Sequence, residues 1–313
     1  MPKRLIIFLF LSLTGCDQNQ TLEQVSGKTM GTTYLIKGKG LEIDQQQVDL
    51  RLDQINRVFS SWNRSSELSQ LNRQPTKHPV LLSTELSQVL SLAIKVQQQT
   101  DGYFDPGLGR LIDAWGFGVT EVLTKPDRAM IAKALLNSSI SKTTLEGQTF
   151  SKQIDIDLNL SAIAKGYAVD EIYKLLDQQG VERFMLEIGG EIKVKGSWTI
   201  GIEAPVGQVP VKIKLADESI ATSGNYRQYF VWEGKRYAHI LDPHTGLPVN
   251  SDLFSASVIH QSNLLADAYA TAMMSMGSEK AIELAQRLNL KTVLILEKCD
   301  TPCLSKNIVK IGL

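Results

Sequence analysis

The sequence lacks an excess of charge of either sign, and it contains few cysteines and histidines. Lysine and arginine together number 33, and aspartate and glutamate also number 33, so the formal net charge is zero. Proteins that bind nucleic acid through its phosphates carry a basic surface, so we expect no nucleic-acid partner. Three cysteines and four histidines in 313 residues leave few ligands for a zinc site.

The N-terminal apolar run is too short to cross a bilayer. Residues 5–13 are almost wholly apolar and follow a segment that contains Lys3 and Arg4. A transmembrane helix needs about 20 apolar residues, whereas a basic residue pair followed by a short apolar run is typical of a secretory signal. We therefore predict a signal peptide over residues 1–15.

The segment after this run predicts a lipid anchor. Thr14 and Gly15 stand directly before Cys16, as in a lipobox, so we expect a mature chain that begins with a lipidated, palmitate-bearing Cys16. Stable anchoring takes more than one acyl chain, and a multiply acylated cysteine meets that condition. The alternative is an ordinary cleaved signal with an incidental cysteine. Asp17 resembles an inner-membrane retention signal, and residues 16–25 read as a membrane tether.

With Cys16 taken by lipid, two cysteines remain. Cys299 and Cys303 flank the turn-like tripeptide Asp-Thr-Pro. Because the bacterial envelope is oxidising, two leftover cysteines there favour a disulfide, so we predict that Cys299 and Cys303 pair across a hairpin tip.

Hydrophobic periodicity predicts a mixed fold over residues 26–313, a length that could form one large domain or two lobes. Apolar residues at helical spacing indicate helices near 44–59, 84–99, 128–136, 162–176, 266–276 and 279–288. Between residues 183 and 231, short apolar stretches alternate with glycine and proline, which indicates an antiparallel sheet. Strands are also expected at 33–37, 149–158 and 292–296. Since no regular strand–helix–strand repeat appears, we assign the α+β class.

The stretch from Asp157 to Asp170 suggests an anion site. A polar run opens onto a predicted helix that carries Lys165 followed by Gly166. Backbone N–H groups at a helix start favour anions, and glycine lets a ligand approach the backbone closely. The alternative is a surface lysine on an ordinary amphipathic helix.

Asp267 and Thr271 are four residues apart on a predicted helix, which puts both side chains on one face. A carboxylate and a hydroxyl are hard oxygen donors suited to Mg2+. The alternative is that Asp267 merely interacts favourably with the helix dipole.

Five segments in a fixed order resemble the ApbE family, the FAD:protein FMN transferases of bacterial envelopes. They are Asp157-Leu-Asn-Leu-Ser-Ala-Ile-Ala-Lys-Gly-Tyr-Ala-Val-Asp170, Leu186-Glu-Ile-Gly-Gly-Glu191, Ile220-Ala-Thr-Ser-Gly-Asn-Tyr-Arg227, His239-Ile-Leu-Asp-Pro-His-Thr-Gly246 and Leu265-Ala-Asp-Ala-Tyr-Ala-Thr-Ala272. The resemblance runs from about residue 26 to the C-terminus. It implies a T-fold-like core of antiparallel sheet and helices with an added smaller lobe.

The resemblance also implies a chemistry and a set of ligands. FMN would pass from FAD to a threonine or serine hydroxyl of an acceptor protein, and AMP would leave. Asp267 and Thr271, with the backbone carbonyl of Ala162, would bind Mg2+, and Lys165 would contact the FAD pyrophosphate. The sequence departs from the family pattern at Asn159, where aspartate is usual; an amide can still hydrogen-bond the ligand, and Asp157, two residues earlier, would partly replace the missing charge.

Further cofactor contacts are expected from side chains and backbone along the chain. By resemblance, Met30 would pack on the flavin nucleotide, although a plain core position is the alternative. Trp62, in a polar loop, is a candidate stacking surface. The segment Asp105-Pro106-Gly107 would line the cleft, and Leu241 would offer backbone groups to the flavin.

His239 has several possible roles. It could position or deprotonate the acceptor hydroxyl, bind flavin phosphate, or be a hydrogen-bonded strand histidine. The rival functions are an FAD diphosphatase that releases FMN and AMP, and a flavin-binding lipoprotein without catalysis. By resemblance, the acceptors would be periplasm-facing subunits of membrane redox complexes, and the protein would sit on the periplasmic face of the inner membrane.

Overall fold

The structure, a computed structural model, describes residues 22–39, 43–120, 122, 124–205, 209–226, 229–232, 234–296 and 308–313. The predicted signal peptide, Cys16, and the predicted disulfide of Cys299 and Cys303 lie outside these residues. Within them, no helix has the length and apolar character needed to span a bilayer.

The described chain alternates between helices and strands. The helices are α1 (Gln45–Phe59), α2 (Glu67–Asn72), α3 (Thr84–Gln99), α4 (Gly109–Ala114), α5 (Arg128–Leu136), α6 (Ser161–Gln178), α7 (Asn263–Met276) and α8 (Ser278–Arg287), with 3-10 turns at Pro106–Leu108 and Ile140–Lys142. The strands are β1 (Leu22–Thr29), β2 (Thr32–Lys39), β3 (Val80–Leu81), β4 (Thr143–Glu146), β5 (Thr149–Lys152), β6 (Phe184–Ile188), β7 (Glu191–Lys195), β8 (Ser197–Ile202), β9 (Val211–Ala216), β10 (Ser219–Gly224), β11 (Tyr229–Trp232), β12 (Lys235–Ala238), β13 (Leu253–His260), β14 (Lys291–Leu296) and β15 (Ile308–Ile311).

Eight of the strands form one antiparallel sheet in the order β1-β2-β6-β7-β10-β13-β14-β15. The strands β3, β5 and β4 form a separate three-stranded sheet in the order β3-β5-β4. The pairs β8–β9 and β11–β12 each form a two-stranded hairpin. The predicted α+β class with an antiparallel-rich sheet is confirmed.

The large sheet has two covered faces. Successive residues of a strand point to opposite faces, so Ala221 lies in the core against the helices while Ile220 lies in a second core formed with β8 and β9. Helices α6 and α7 pack side by side on the first face. This arrangement brings their side chains onto the helix-facing residues of β7 and β10.

The predicted helices α1, α3 and α5 are confirmed almost to the residue. In α1, Val48, Leu52 and Ile55 are buried on one face, and the Asp44 side chain accepts a hydrogen bond from the Gln47 N–H. A cap of this kind satisfies one of the amides that have no partner at a helix start. Apolar spacing and a local cap together are enough to fix such a helix.

The boundary at residue 26 was wrong. Residues 22–25, assigned to the tether, belong to β1, where Leu22 lies opposite Lys39 of β2. The pairing with β2 orders this polar segment, which by itself has no clear apolar alternation. The folded domain therefore begins closer to Cys16 than expected.

The strand expected over 149–158 ends at Lys152. Beyond it, the backbone finds partners outside any sheet. The Leu158 N–H donates to the Asn72 Oδ1 at 2.8 Å, and the Asn159 N–H donates to the Pro106 carbonyl at 2.8 Å. A side chain and a turn thus replace the neighbouring strand, and Asp157 and Asn159 lie in an irregular segment that leads into α6.

Candidate active site

Three ion pairs join β7 to α6. Alternate residues of β7 face the helix: Glu191 accepts from Lys165 at 2.7 Å, and Lys193 donates to Asp170 at 2.6 Å. Further along, Lys195 pairs with the exposed Asp177. The first pair has the acid on the strand and the lysine on the helix, whereas the other pairs have the reverse arrangement.

The first of these pairs belongs to a cluster with a second acid. The Lys165 Nζ lies 2.7 Å from the Glu191 Oε1 and 3.8 Å from the Asp267 Oδ2. Both acids are buried, with exposed fractions of 3% for Glu191 and 2% for Asp267. Burial raises the pKa of Glu191 to about 7 and also raises the pKa of Asp267, and the Lys165 ammonium opposes both shifts.

Asp267 is held in place by a close crossing of α6 and α7. The Gly166 N–H donates to the Asp267 Oδ2 at 3.1 Å. A Cβ atom at Gly166 would lie 2.4 Å from the Asn263 carbonyl oxygen, a distance that no side chain tolerates. Glycine is therefore required where the two helices meet, and this contact brings Asp267 beside Lys165.

Asp170 connects the three elements that carry the cluster. Its carboxylate accepts from the Lys193 Nζ on β7, from the Ser262 Oγ at 2.8 Å, and from the first two amides of α7, those of Asn263 and Leu264, at 3.0 and 3.1 Å. An acid at a helix start satisfies free amides and interacts favourably with the helix dipole. Asp170 therefore fixes α6, α7 and β7 relative to one another.

Thr271 lies one helical turn beyond Asp267 and meets the sheet. Its Oγ1 is 3.0 Å from the Ser223 Oγ on β10. Thr271 is half-buried and lies on the same face of α7 as Asp267.

The residues present fit a divalent cation. Two buried carboxylates face one lysine, and the Glu191 Oε2 is buried without a hydrogen-bond partner. Carboxylate and hydroxyl oxygens are the donors that Mg2+ prefers. Across the described ranges, no three His, Cys, Asp or Glu side chains are placed to hold a metal, so the site would complete its ligand shell with main-chain, hydroxyl, water or substrate oxygens. Ala162 is the second residue of α6, in the turn that carries Lys165.

The segment Asp105-Pro106-Gly107 holds the backbone before α6. The Asp105 Oδ1 accepts from the Gly107 and Ile140 amides at 2.7 and 2.8 Å, and burial raises the pKa of the Asp105 carboxyl. The Pro106 carbonyl accepts from Asn159, as described above. The side chain of Asp105 thus binds backbone amides of its own turn and of the turn at Ile140.

Asn159 uses its side chain at the start of α6. Its Oδ1 accepts from the Ser161 N–H at 2.9 Å. Asp157 does not take over its position: its carboxylate lies 3.5 Å from the Arg110 Nε, and its backbone carbonyl accepts from Gly109. The departure from the family pattern therefore leaves an amide, with no charge, beside the first turn of α6.

Met30 and Trp62 lie on turns. Met30 occupies the β1–β2 turn with φ of 48°, within an open cavity lined by residues 28–33. Trp62 is 68% exposed. Its loop is fixed locally, since the Ser60 Oγ accepts from the amides of Trp62 and Asn63. The side chain is thus presented to solvent from an ordered loop.

His239 and Leu241 follow β12. The His239 ring stands edge-on to Phe117, with centroids 6.3 Å apart. Leu241 is buried, and its carbonyl accepts from the Ser275 hydroxyl at 3.3 Å. Of the predicted site residues, the structure brings Lys165 and Asp267 into direct contact, whereas Met30, Trp62 and Leu241 contact their own loops and core.

Sequence reasoning missed Glu191, Ser223 and Asp170. Glu191 follows the glycine pair Gly189–Gly190. The φ angles of the two glycines, 60° and 103°, form a turn that few other residues adopt, and this turn introduces Glu191. A usable signal was present, because charged residues at every second position of a strand with apolar neighbours indicate a polar face against another element.

Comparisons with known proteins show similarity over nearly the whole chain. The model of the ApbE family matches residues 30–294. The FAD:protein FMN transferase of Vibrio cholerae is 37% identical, over 93% of this chain and 92% of that protein. The Haemophilus influenzae protein of the same name is 34% identical, over 93% and 91%.

Solved structures show the same similarity. The flavin transferase ApbE from Vibrio cholerae superposes with a TM-score of 0.83 at 36% identity, covering 93% of this chain and 97% of that one. The Pseudomonas stutzeri flavinyl transferase ApbE in its apo form gives a TM-score of 0.82 at 29% identity, covering 93% and 94%.

Proposed function

Because this chain belongs to the ApbE family, we propose that it transfers FMN from FAD to acceptor proteins, with the cluster of Lys165, Glu191 and Asp267 at the reacting diphosphate. The single observation that carries this assignment is a lysine between two buried acids where α6, α7 and β7 meet.

The reaction breaks the phosphoanhydride bond of FAD and forms a phosphoester bond to the acceptor. An acceptor threonine or serine oxygen bonds to the flavin-side phosphorus of FAD, and the bond from that phosphorus to the bridging oxygen breaks. AMP leaves with the bridging oxygen, and the hydroxyl proton is released. Such a transfer needs positioning and charge neutralisation more than a protein nucleophile.

Each residue of the cluster has its own part in positioning the diphosphate and neutralising its charge. The Lys165 ammonium would bind a diphosphate oxygen, with Glu191 and Asp267 fixing its position. Asp267, the Thr271 hydroxyl and the Ala162 carbonyl would hold Mg2+, which supplies further neutralisation of the diphosphate when it is bound. We assign the hydroxyl proton to His239, since a neutral imidazole is a suitable base at physiological pH.

The substrate-binding surface includes the turns described above. Met30 would pack on the flavin nucleotide and Trp62 would stack on one ring system of FAD, which its exposure allows. Asn159 and the Asp105–Gly107 segment would line the cleft beside the start of α6, and Leu241 would offer backbone groups.

The acceptors are proposed to be periplasm-facing subunits of membrane redox complexes. The support is the sequence itself: a signal-like N-terminus ending in Thr-Gly-Cys places enzyme and acceptor on one membrane surface. Tethering raises the effective concentration of one for the other.

A mass measurement on an acceptor tests the function. The full-length protein is incubated with FAD, Mg2+ and a membrane subunit that carries a Ser/Thr-Gly-Ala-Thr motif. We expect the acceptor to gain FMN less water, and a variant with valine at the acceptor threonine to gain nothing. If FAD is consumed equally with and without acceptor and no flavin becomes attached, the protein is an FAD diphosphatase instead.

A matched pair of aspartate variants tests the site. Asp267→Asn should lower the transfer rate by about 100-fold or more, because several kcal/mol of charge stabilisation are lost. Asp177→Asn, an exposed member of the α6–β7 ion pairs, should leave the rate unchanged. Equal rates for the two variants would remove Asp267 from the site.

A further inference from the structure

A hydrogen bond between two hydroxyl groups joins β10 to the face of α7 that is proposed to bind the cation. The Ser223 Oγ lies 3.0 Å from the Thr271 Oγ1, and either oxygen can be the donor. Within the described part of the chain, Ser223 is the side-chain partner of the Thr271 hydroxyl. The two residues are 48 positions apart in sequence, so the contact depends on the packing of α7 against β10.

The hydroxyl group of threonine has one hydrogen and two lone pairs. When its oxygen binds a cation, a lone pair must point at the cation and the hydrogen must point away. That hydrogen then needs an acceptor, and groups that accept from metal ligands fix the orientation of those ligands. The Ser223 Oγ is within hydrogen-bonding distance of the Thr271 Oγ1 and can be this acceptor.

We infer that Ser223 is a positioning residue for Thr271: it accepts the Thr271 hydroxyl hydrogen and so turns a lone pair of that oxygen towards the cation. This inference rests on the proposed function, because it takes Thr271 as a ligand. Ser223 itself would not touch the metal, and its effect passes through Thr271 alone.

The chain contains a matched control for this contact. Thr222, the residue before Ser223 on β10, forms a hydrogen bond between its hydroxyl and that of Ser257 on β13, with the two oxygens 2.8 Å apart. Thr222 and Ser257 point to the face of the sheet that packs on β8 and β9, away from α7. The two pairs are alike in chemistry and in length, but one of them lies beside the predicted cation site.

Cation affinity is the direct readout. Mn2+, which also prefers octahedral oxygen ligands, is titrated into the full-length protein, and free Mn2+ is followed by electron paramagnetic resonance without FAD or acceptor. We expect Ser223→Ala to raise the Kd about 10- to 100-fold, the range found when partners of metal ligands are removed. Ser257→Ala should leave the Kd unchanged, and Ser223→Thr, which keeps the oxygen, should restore it. Urea unfolding should show similar small losses for both alanine variants.

A double-mutant cycle shows whether Ser223 acts through Thr271. In a Thr271→Ala background, Ser223→Ala should not change the Kd further. An additional loss there, an unchanged Kd in the single variant, or a wild-type protein that does not bind Mn2+ would each overturn the inference. The Mn2+ titration involves no turnover, so it is independent of FMN transfer. If Ser223→Ala weakens Mn2+ binding as expected but the wild-type protein transfers no FMN, the proposed function is wrong and the role of Ser223 still holds.

Discussion

Glu191 is a buried acid whose ionised form is disfavoured by its surroundings. Burial raises the pKa of its carboxyl from 4.5 to about 7, and the Lys165 ammonium opposes the shift. The folded protein therefore binds this proton more tightly than the unfolded chain does. The resulting stabilisation is fully present below pH 4.5 and is lost as the pH rises to about 7.

We predict that Glu191→Gln removes this part of the pH dependence. Without divalent cations, the free energy of unfolding of the wild type should fall by about 1–3 kcal/mol more than that of the variant between pH 4.5 and 8. Urea unfolding at several pH values measures both. Glu182→Gln, at an exposed position, is the control and should follow the wild type. A Glu191→Gln curve parallel to the wild type would show that Glu191 titrates normally.

At the scale of secondary-structure elements, the ion pairs between β7 and α6 should differ strongly in their contributions. Asp170→Ala should cost about 3–5 kcal/mol of unfolding free energy, because it leaves the first amides of α7 buried without their acceptor and removes the carboxylate partner of the half-buried Lys193. Asp177→Ala should cost about 0–1 kcal/mol, since the side chain is 54% exposed. Urea unfolding compares the two, and similar costs would show that Asp170 does not join the elements.

The crossing of α6 and α7 gives a second prediction at this scale. Gly166→Ala should destabilise the protein by about 1–3 kcal/mol and should also lower FMN transfer, because the helices must separate where Asp267 meets Lys165. Gly201→Ala is the control, since its Cβ would have its nearest contact at 3.7 Å. Thermal unfolding and the acceptor assay measure both effects. Full activity in Gly166→Ala would mean that the crossing tolerates a methyl group.

Local sequence was enough for some elements and insufficient for others. Helices α1, α3 and α5 could be predicted because apolar spacing and caps lie within a few neighbouring residues. Strand β1 was missed because pairing with β2 gives it order. Residues 153–158 were assigned to a strand because apolar alternation does not show that distant side chains, such as that of Asn72, bind their backbone.

In the candidate site, too, local sequence was enough to predict some residues and insufficient for others. Asp267 and Thr271 could be placed together because four residues of helix separate them. Glu191 and Ser223 gain their partners across 26 and 48 positions of the chain, and a local pattern such as the charge alternation of β7 indicates a polar face without identifying its partner. The motifs contain the residues of the cluster, whereas tertiary packing determines which side chain in each motif faces the others.

At the scale of the whole molecule, the proposed anchor limits where the protein can work. Strand β1 begins at Leu22, six positions after Cys16. Six extended residues span at most about 20 Å, so a lipidated Cys16 would hold the domain close to the bilayer surface.

We predict that Cys16→Ala releases the protein from the membrane fraction while leaving soluble activity intact. Fractionation followed by immunoblotting measures the distribution, and the in vitro acceptor assay is the control for folding. Flavin attachment to a membrane acceptor in cells should fall with the release. Wild-type protein found in the soluble fraction would rule out the anchor.

The contacts of the Asp170 carboxylate determine how ordered the site is before FAD binds. Because this carboxylate lies on α6 and binds groups of β7 and α7 at once, the amides of Asn263 and Leu264 should exchange their hydrogens with solvent only when the whole domain opens. The catalytic framework is then ordered before FAD arrives. Any ordering that FAD brings about must then lie in exposed side chains such as that of Trp62. FAD binding should accordingly carry the modest negative heat-capacity change of covering exposed rings, without the large one that accompanies coupled folding.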